Sequence, residues 1–540
     1  MKAAFLSLLL MAPLGVAADR EAGPIRFEDA TAQSGIAFSH SFGAEKLGSL
    51  VESTGAGCVW FDYNNDGRPD LYVVSGKPME AGMHPYPLRK QPAEAPHNHL
   101  YRNDGNGKFT DVTTTAGVAA DQFSFAAIAA DYDKDGYIDL LVTGYGRVTL
   151  FRNKGNGTFE DVTAKAGLKV DGWAIGSSWL DYDRDGCVDL FVGRYVKFDP
   201  KYRAYYAADN YPGPLDYEGE TNLLFHNNCK GGFTDVSEKS GIAAYKGRTM
   251  GVTAADYDGD GYPDIYVAND KTENFLFHNK RNGTFEEIAL NSGVAFGQNG
   301  ESTSAMGPIF FDNDGVKTLW VSDSKYNRLM KYTGSEGFKD ITEAAGISQA
   351  TAQYVSWGSG IFDFDNDGLR DLLVFHGGLI HMVPQEHSLF RNVGAGKFTD
   401  VASGAGPFFD LKTVGRGSCF ADYDNDGKVD AFMINLGGPG YLLHNVSPST
   451  NHWTSIKLTG TKSNRDGIGA VVEVTTAGRK QKAERVAGSS YLSQDDARLH
   501  FGLGPATVID SIQVTWPTGK TQQWTKMPVD RVLALEEKPE

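Results

Sequence analysis

The chain has 540 residues, a formal net charge of −17, 64 glycines and 24 tyrosines. It is too long for one ordinary domain and rich in turn-forming residues. An acidic balance with no basic stripe to contact phosphates excludes nucleic-acid binding, and beyond the first residues no segment reaches the roughly 18 apolar residues that a spanning helix needs.

Residues 1–18, "MKAAFLSLLLMAPLGVAA", read as a secretion signal, with a basic start, an apolar run and small residues at Val16 and Ala18 for cleavage. No cysteine marks the cleavage point, so no lipid anchor is indicated. The product is expected to be secreted or periplasmic, where calcium is plentiful. Next comes "IRFEDATAQSGI" (Ile25 to Ile36), a strand pattern that recurs later in the chain.

The first acidic loop begins at Asp62. In "DYNNDGRPD", Asp62, Asn64, Asp66 and Asp70 occupy positions 1, 3, 5 and 9, with Gly67 at position 6. Carboxylates this close repel one another without a counter-charge. A hard divalent cation takes several oxygen ligands at once, and glycine permits the bend that returns the chain to the metal. Asn-Asp-Gly is also an ordinary tight turn, but here the whole spacing recurs. The second loop carries Asp131, Asp133, Asp135 and Asp139, and the third Asp181, Asp183, Asp185 and Asp189. The fourth has Asp256, Asp258, Asp260 and Asp264, a later one Asp363, Asp365, Asp367 and Asp371, and the last Asp422, Asp424, Asp426 and Asp430. Turn chemistry does not explain acids at the same four positions six times over, so about six calcium ions are the expected cofactors. The flanks are short β-formers such as "LYVV" and "LLVTG" rather than helices, which excludes an EF-hand.

After most loops comes a second element, as in "NHLYRN" at Asn98, then a third, as in "GKFTDVTTTAG" at Gly107. Each unit thus reads as four antiparallel strands, and repetition around a ring makes a propeller. A fifth unit, "FFDNDGVKTLWVS", keeps Asp312, Asp314 and Gly315 but has Phe310 and Thr318 at the outer ligand positions, so its metal is expected to be lost. Seven blades result. The seventh lacks its last strand, which residues 25–31 are expected to supply, closing the ring and removing exposed edges. The fold class expected is all-β, a seven-bladed β-propeller over residues 24–446 followed by a small β-sandwich-like domain over 449–540.

Two insertions lie between the second and third strands of blades one and three, Ser75 to His97 and Lys197 to Glu220. That position puts them on the face opposite the acidic loops. Arg203, Tyr205, Tyr206 and Tyr211 make the second insertion a candidate ligand face for a protein or glycan; the competing reading is that these loops pack together and cap the central channel. Of four cysteines, Cys187 and Cys229 share the third unit and lie in or beside turns, so a bridge there is favoured although counting does not fix it. Cys58 and Cys419, in the first strands of ring-neighbour blades, are expected to be buried thiols. His226, His278 and His444 share a repeat slot with Arg102, Arg152 and Arg391, which favours a structural role over a catalytic or ligand one. Neither a GxSxG elbow nor an HExxH motif occurs. The "NGT" sequons at Asn156 and Asn282 fall where the unit needs a turn.

Beyond Asn445 the repeats stop, and "NRDGIGA" (Asn464 to Ala470), "YLSQ" (Tyr491 to Gln494), "HFGLG" (His500 to Gly504) and "WPTGK" (Trp516 to Lys520) follow in order. The acidic units resemble the FG-GAP/VCBS repeats of integrin-type propellers, and the tail resembles the ASPIC/UnbV domain of the cartilage acidic protein family and its bacterial relatives. The resemblance covers nearly the whole mature chain. It implies a secreted calcium-binding protein of matrix or cell-surface interaction, and brings no catalytic residues. The expected function is therefore extracellular binding or adhesion by a monomer. A polysaccharide-acting enzyme on a calcium-loop propeller and a scaffold of a secreted assembly are the alternatives.

Overall fold

An acidic loop between two short apolar runs folds as a hairpin, and each hairpin recruits two further strands into a twisted four-stranded sheet. The computed structural model describes residues 24–44, 46–78, 97–202, 211–379 and 381–539. The secretion signal, most of the first insertion, and Arg203, Tyr205 and Tyr206 lie outside these residues.

Among the described residues, seven four-stranded antiparallel sheets follow one another as blades. Blade one is Cys58–Phe61, Asp70–Val73, His99–Gly105 and Lys108–Asp111. Blade seven is Gly415–Ala421, Asp430–Asn435 and Tyr441–Asn445, completed by the N-terminal strand Phe27–Asp29, with Phe27 opposite Asn445. The first strand of each blade is buried throughout or nearly so, as in Ser124–Ala130. Buried residues of adjacent blades, such as Val59 and Leu71 with Ala129 and Val142, share hydrophobic clusters.

In five blades an asparagine at the end of the third strand ties the blade to its neighbour. The Asn103 amide donates to the Tyr423 carbonyl at 2.7 Å, across the ring closure, and Asn153, Asn227 and Asn279 donate to Tyr63, Tyr132 and Tyr182 at 2.8 Å. The same asparagines receive their partners from position 2 of the preceding acidic loop, so loop and ring are one structure. Blade five breaks the pattern. Tyr332 replaces the asparagine, and the acidic loop has collapsed to a hairpin in which Asn313 pairs with Val316. Asp314 and Gly315, at φ 51° and 82°, form its two-residue turn. Asn392 of blade six accordingly bonds only within its own blade, to the Arg370 carbonyl at 3.0 Å.

Residues 452–536 form two further sheets. His452–Thr459 lies between Leu499–Gly504 and Arg531–Glu536, and a four-stranded sheet runs Arg479–Glu484, Val471–Thr476, Val508–Thr515, Thr521–Pro528. Ile456, Val472, Phe501, Ile512 and Trp516 fill the space between them. This unit sits on the propeller face that carries the acidic loops and acts as a cap.

The C-terminal region also reaches into the propeller. The segment between Glu484 and Leu499 leaves the cap, enters the central channel and hydrogen-bonds the innermost strands. Trp179 N–H donates to the Ala487 carbonyl at 2.9 Å, Ser490 N–H to Pro308, and Ser359 N–H to Ser490 Oγ. Gln494 takes and gives bonds with the Ala129 backbone at 3.1 and 2.9 Å, and Phe420 N–H donates to Asp495. The first strands leave unpaired backbone groups toward the axis, and the plug satisfies them. Glycines admit it: a Cβ on Gly57 would lie 1.8 Å from the Leu492 carbonyl oxygen, and one on Gly307 2.9 Å from Ser490.

Candidate metal centres beneath the cap

The acidic loops share one internal geometry. The carboxylate at position 1 accepts the N–H groups of positions 5 and 6, as Asp131 does from Asp135 at 3.0 Å and Gly136 at 2.8 Å. The carboxylate at position 5 accepts the N–H of position 7, as Asp185 does from Cys187 at 2.8 Å. Position 9 opens the second strand and is fully buried. Asp189 accepts the N–H groups of Tyr182 and Asn227 at 3.2 and 2.8 Å, and Asp430 those of Tyr423 and Asn445 at 3.2 and 2.7 Å. The backbone thus pins one side of each carboxylate while the other converges with its neighbours.

That convergence carries an electrostatic load. Burial first, then the adjacent Asp466, pushes Asp131 up to about 7. Burial, then the neighbouring loop acids, raises Asp181 to about 7 and Asp422 to about 8. Asp189 is pushed to about 8 and Asp264 and Asp430 to about 7, again by burial first. Several oxygens are also buried with no hydrogen-bond partner among the described residues: Asp133 Oδ1, Asp181 Oδ1, Asp183 Oδ1 and Asp264 Oδ2. Buried acceptors of this kind call for a cation. The donors are hard carboxylate oxygens at positions 1, 3, 5 and 9, so the residues fit a hard divalent ion. Groups able to hold a metal include Asp131, Asp133 and Asp139.

The shared histidine/arginine slot lies at these loops, a placement that counting repeats did not reveal. His226 Nδ1 is 3.2 Å from Asp189 and 3.5 Å from Asp183, and His278 and His444 stand 3.0 and 3.1 Å from Asp264 and Asp430. Arg152 bridges Asp133 and Asp135 at 2.5 and 2.6 Å, and Arg391 bridges Asp365 and Asp367 at 2.7 Å each. The three histidines face three separate loops and form no common cluster. The slot is near the loop because the third strand runs antiparallel to the second and ends beside position 9. Arg102 departs from it and pairs with Asp104 at 2.7 Å, while Arg68 takes Asp66.

At the opposite face, Tyr211 is not an exposed loop tyrosine. It is 8% exposed and packs with Trp173, Tyr195, Tyr217 and the plug residue Tyr491. Its burial matches the capping reading of the second insertion rather than a solvent-facing contact for this residue. Cys187 and Cys229 are disulfide-bonded with Cα atoms 5.6 Å apart, while Cys58 and Cys419 are buried free thiols. Asn156 and Asn282 accept the N–H of Thr158 and Thr284 at 3.1 and 3.0 Å, closing the turns their sequons span.

A profile of FG-GAP-like repeats matches residues 62–142, 131–192, 215–267, 256–310 and 363–433, more than half of the chain. The chain belongs to the FG-GAP-like repeat family. The matched segments of this FG-GAP chain take in all six intact loops and stop short of the blade-five hairpin. Residues 460–540 match the ASPIC and UnbV family. Cartilage acidic protein 1 of Mus musculus is 28% identical over 317 residues, covering 56% of this chain and 46% of that protein. The Homo sapiens protein is 27% identical over 299 residues, covering 53% and 43%. The chain spans about half the length of the curated relatives it matches. Among solved structures, an Agrocybe aegerita lectin that recognises non-reducing terminal N-acetylglucosamine aligns with a TM-score of 0.39 and 16% identity, covering 71% of this chain and 86% of that one. The V. cholerae biofilm matrix protein Bap1 aligns with a TM-score of 0.36 and 12% identity, covering 78% and 92%.

Proposed function

We propose that this chain is a secreted, calcium-loaded FG-GAP propeller that binds an extracellular protein or glycan and catalyses no reaction. The observation that carries the reading is the set of buried loop carboxylate oxygens without partners in blades two, three and four, on Asp133, Asp181, Asp183 and Asp264. Calcium suits them because it accepts six to eight oxygen ligands in flexible geometry, and the backbone of a DxDxDG loop supplies oxygen besides the side chains. Asp62, Asn64, Asp66 and Asp70, and their equivalents in blades two, three, four, six and seven, are the proposed ligands.

The ions act within the fold. The cap covers the loop face and the plug fills the channel, which favours the opposite face for a macromolecular ligand. Among the described residues no helix is long and apolar enough to cross a membrane.

The test is elemental analysis of the purified chain, joined to a glycan and protein array read with calcium and with chelator. The expected result is about six calcium ions per chain and a ligand retained in both the array and solution. Absence of bound calcium, or steady turnover of a polysaccharide by the pure chain, overturns the proposal.

A further inference from the structure

Position 4 of the acidic loops holds no ligand, yet it has the most demanding backbone. Asn65, Lys134, Arg184, Asn366 and Asn425 occupy it with φ between 58° and 61°, and Gly259 fills it in blade four at 80°. Left-handed backbone is unfavourable for side chains such as Lys and Arg and persists only where the surroundings enforce it. The convergent carboxylates on either side do so, because positions 3 and 5 must turn to the same centre.

In four of the six loops the left-handed turn aims position 4 at the cap, whereas Asn65 Nδ2 donates to the Gly136 carbonyl of the next loop at 2.9 Å. Arg184 Nε donates to the Pro517 carbonyl at 2.6 Å, Asn366 Oδ1 lies 2.8 Å from His500 Nε2, and Asn425 Oδ1 accepts from Arg498. Lys134 Nζ reaches the Lys462 carbonyl at 3.5 Å. The cap also holds the loop backbone directly: Asp131 N–H donates to Asp466 at 2.7 Å and Asp256 N–H to Glu484 at 2.9 Å. Those two contacts bring further carboxylates against an already acidic face.

We propose that the ion-bearing loops are the docking site of the C-terminal cap, with position 4 as the gripping residue, so that calcium binding and cap seating form one coupled equilibrium. Loss of calcium relaxes the loops, lifts the cap and draws the plug from the channel. This rests on the calcium reading above. Coupling is reciprocal: a cap that seats poorly also weakens calcium binding at loops whose ligands are intact.

The plug supplies its own reporter. Cys58 N–H donates to Ser493 Oγ at 3.1 Å, and Cys58 Sγ lies 3.9 Å from the same oxygen. The Phe432 carbonyl of blade seven lies 4.0 Å away on the other side, so withdrawal of the plug is expected to open the axial side of that thiol. The full chain is treated with a thiol-reactive aromatic disulfide in excess calcium and in chelator, with bound calcium counted in each sample and hydrogen exchange followed on the outer strands. The expected result is labelling of Cys58 at least tenfold faster in chelator while the outer strands of the blades remain protected. In calcium, Arg498→Met is expected to label faster than the parent chain and to bind calcium several-fold more weakly. Calcium fully removed with Cys58 still unreactive overturns the coupling, as does unchanged calcium affinity in Arg498→Met. Labelling that rises only together with loss of outer-strand protection overturns a separate docking step. A parent chain that holds no calcium instead removes the metal reading on which the proposal stands.

Discussion

Tyr491, at the tip of the plug, donates its hydroxyl to the Thr54 carbonyl at 2.8 Å, and its ring meets Trp357 edge-on at 4.9 Å between centroids. A residue of the C-terminal region thus completes the core at the far end of the propeller. Tyr491→Ala leaves a ring-sized void and is expected to destabilise the chain by about 3–5 kcal/mol. Tyr491→Phe keeps the ring and strands one carbonyl, at a cost of about 1–2 kcal/mol. Urea unfolding of both variants measures the difference. Equal, small effects would show that the channel does not depend on the plug.

Calcium removal is expected to lower the melting temperature by many degrees, since each ion held only by the folded state stabilises it by about 2.7 kcal/mol at a hundred times its Kd. Scanning calorimetry across a calcium titration reads this. The ion count is expected to be six and not seven, because the Asp314–Gly315 turn brings Asn313 opposite Val316 and leaves no room for a loop ion.

The asparagine ties give a paired comparison. Asn279 bonds the Tyr182 carbonyl of the neighbouring blade at 2.8 Å and the Pro263 carbonyl of its own at 3.2 Å. Asn392 has only the contact within its blade. Asn279→Ala is expected to cost about 1–3 kcal/mol and Asn392→Ala about 1 kcal/mol less, because fewer buried acceptors are orphaned. Chemical denaturation of the two variants side by side decides this.

Acid sensitivity is expected from the blade-six histidines. His387 lies buried, accepts the His376 N–H at 3.0 Å and contacts Thr413 Oγ1 at 2.9 Å. Burial pushes His387 down to about 3 and His376 well below its ordinary value. The unfolded chain therefore takes up protons first. The stability that neutral His387 contributes is complete above about pH 6.5 and falls away as the pH drops toward 3, by at most about 1.4 kcal/mol per pH unit. His387→Gln is expected to flatten the profile of unfolding midpoint against pH between 6 and 4. An unchanged slope would place the proton uptake elsewhere.

The blades were legible in the sequence because their determinants are local and repeated. Asp62 to Asp70 contains its own turn, its own strand boundaries and its own acidic side chains, and six copies marked the loop as the unit of the repeat. The departure of blade five from the loop pattern was also readable, from Phe310 and Thr318, although not the two-residue hairpin that replaced the loop. The plug was not readable. "SYLSQ" has no periodicity, and the partners of Ser490 and Gln494 are backbone groups of Pro308, Ser359 and Ala129 scattered over the ring. Tyr211 stayed open between two readings for a related reason: a tyrosine-rich insertion reads alike whether its rings face solvent or a channel mouth. The histidine slot lay between these cases, since its nearness to the loop follows from strand direction once the blade is drawn.

Ring closure by Phe27–Asp29 also sets an order of events during synthesis. The first strand to emerge has its partner, Leu443 to Asn445, in the last blade. Until that blade is made, the N-terminal segment waits with an unpaired edge, and the plug can enter only afterwards, once the channel exists. Contacts between the two ends of a chain are slow to form, and unpaired edges invite pairing with other chains. The nascent protein is thus most exposed to aggregation late, when six blades have folded and the seventh has not.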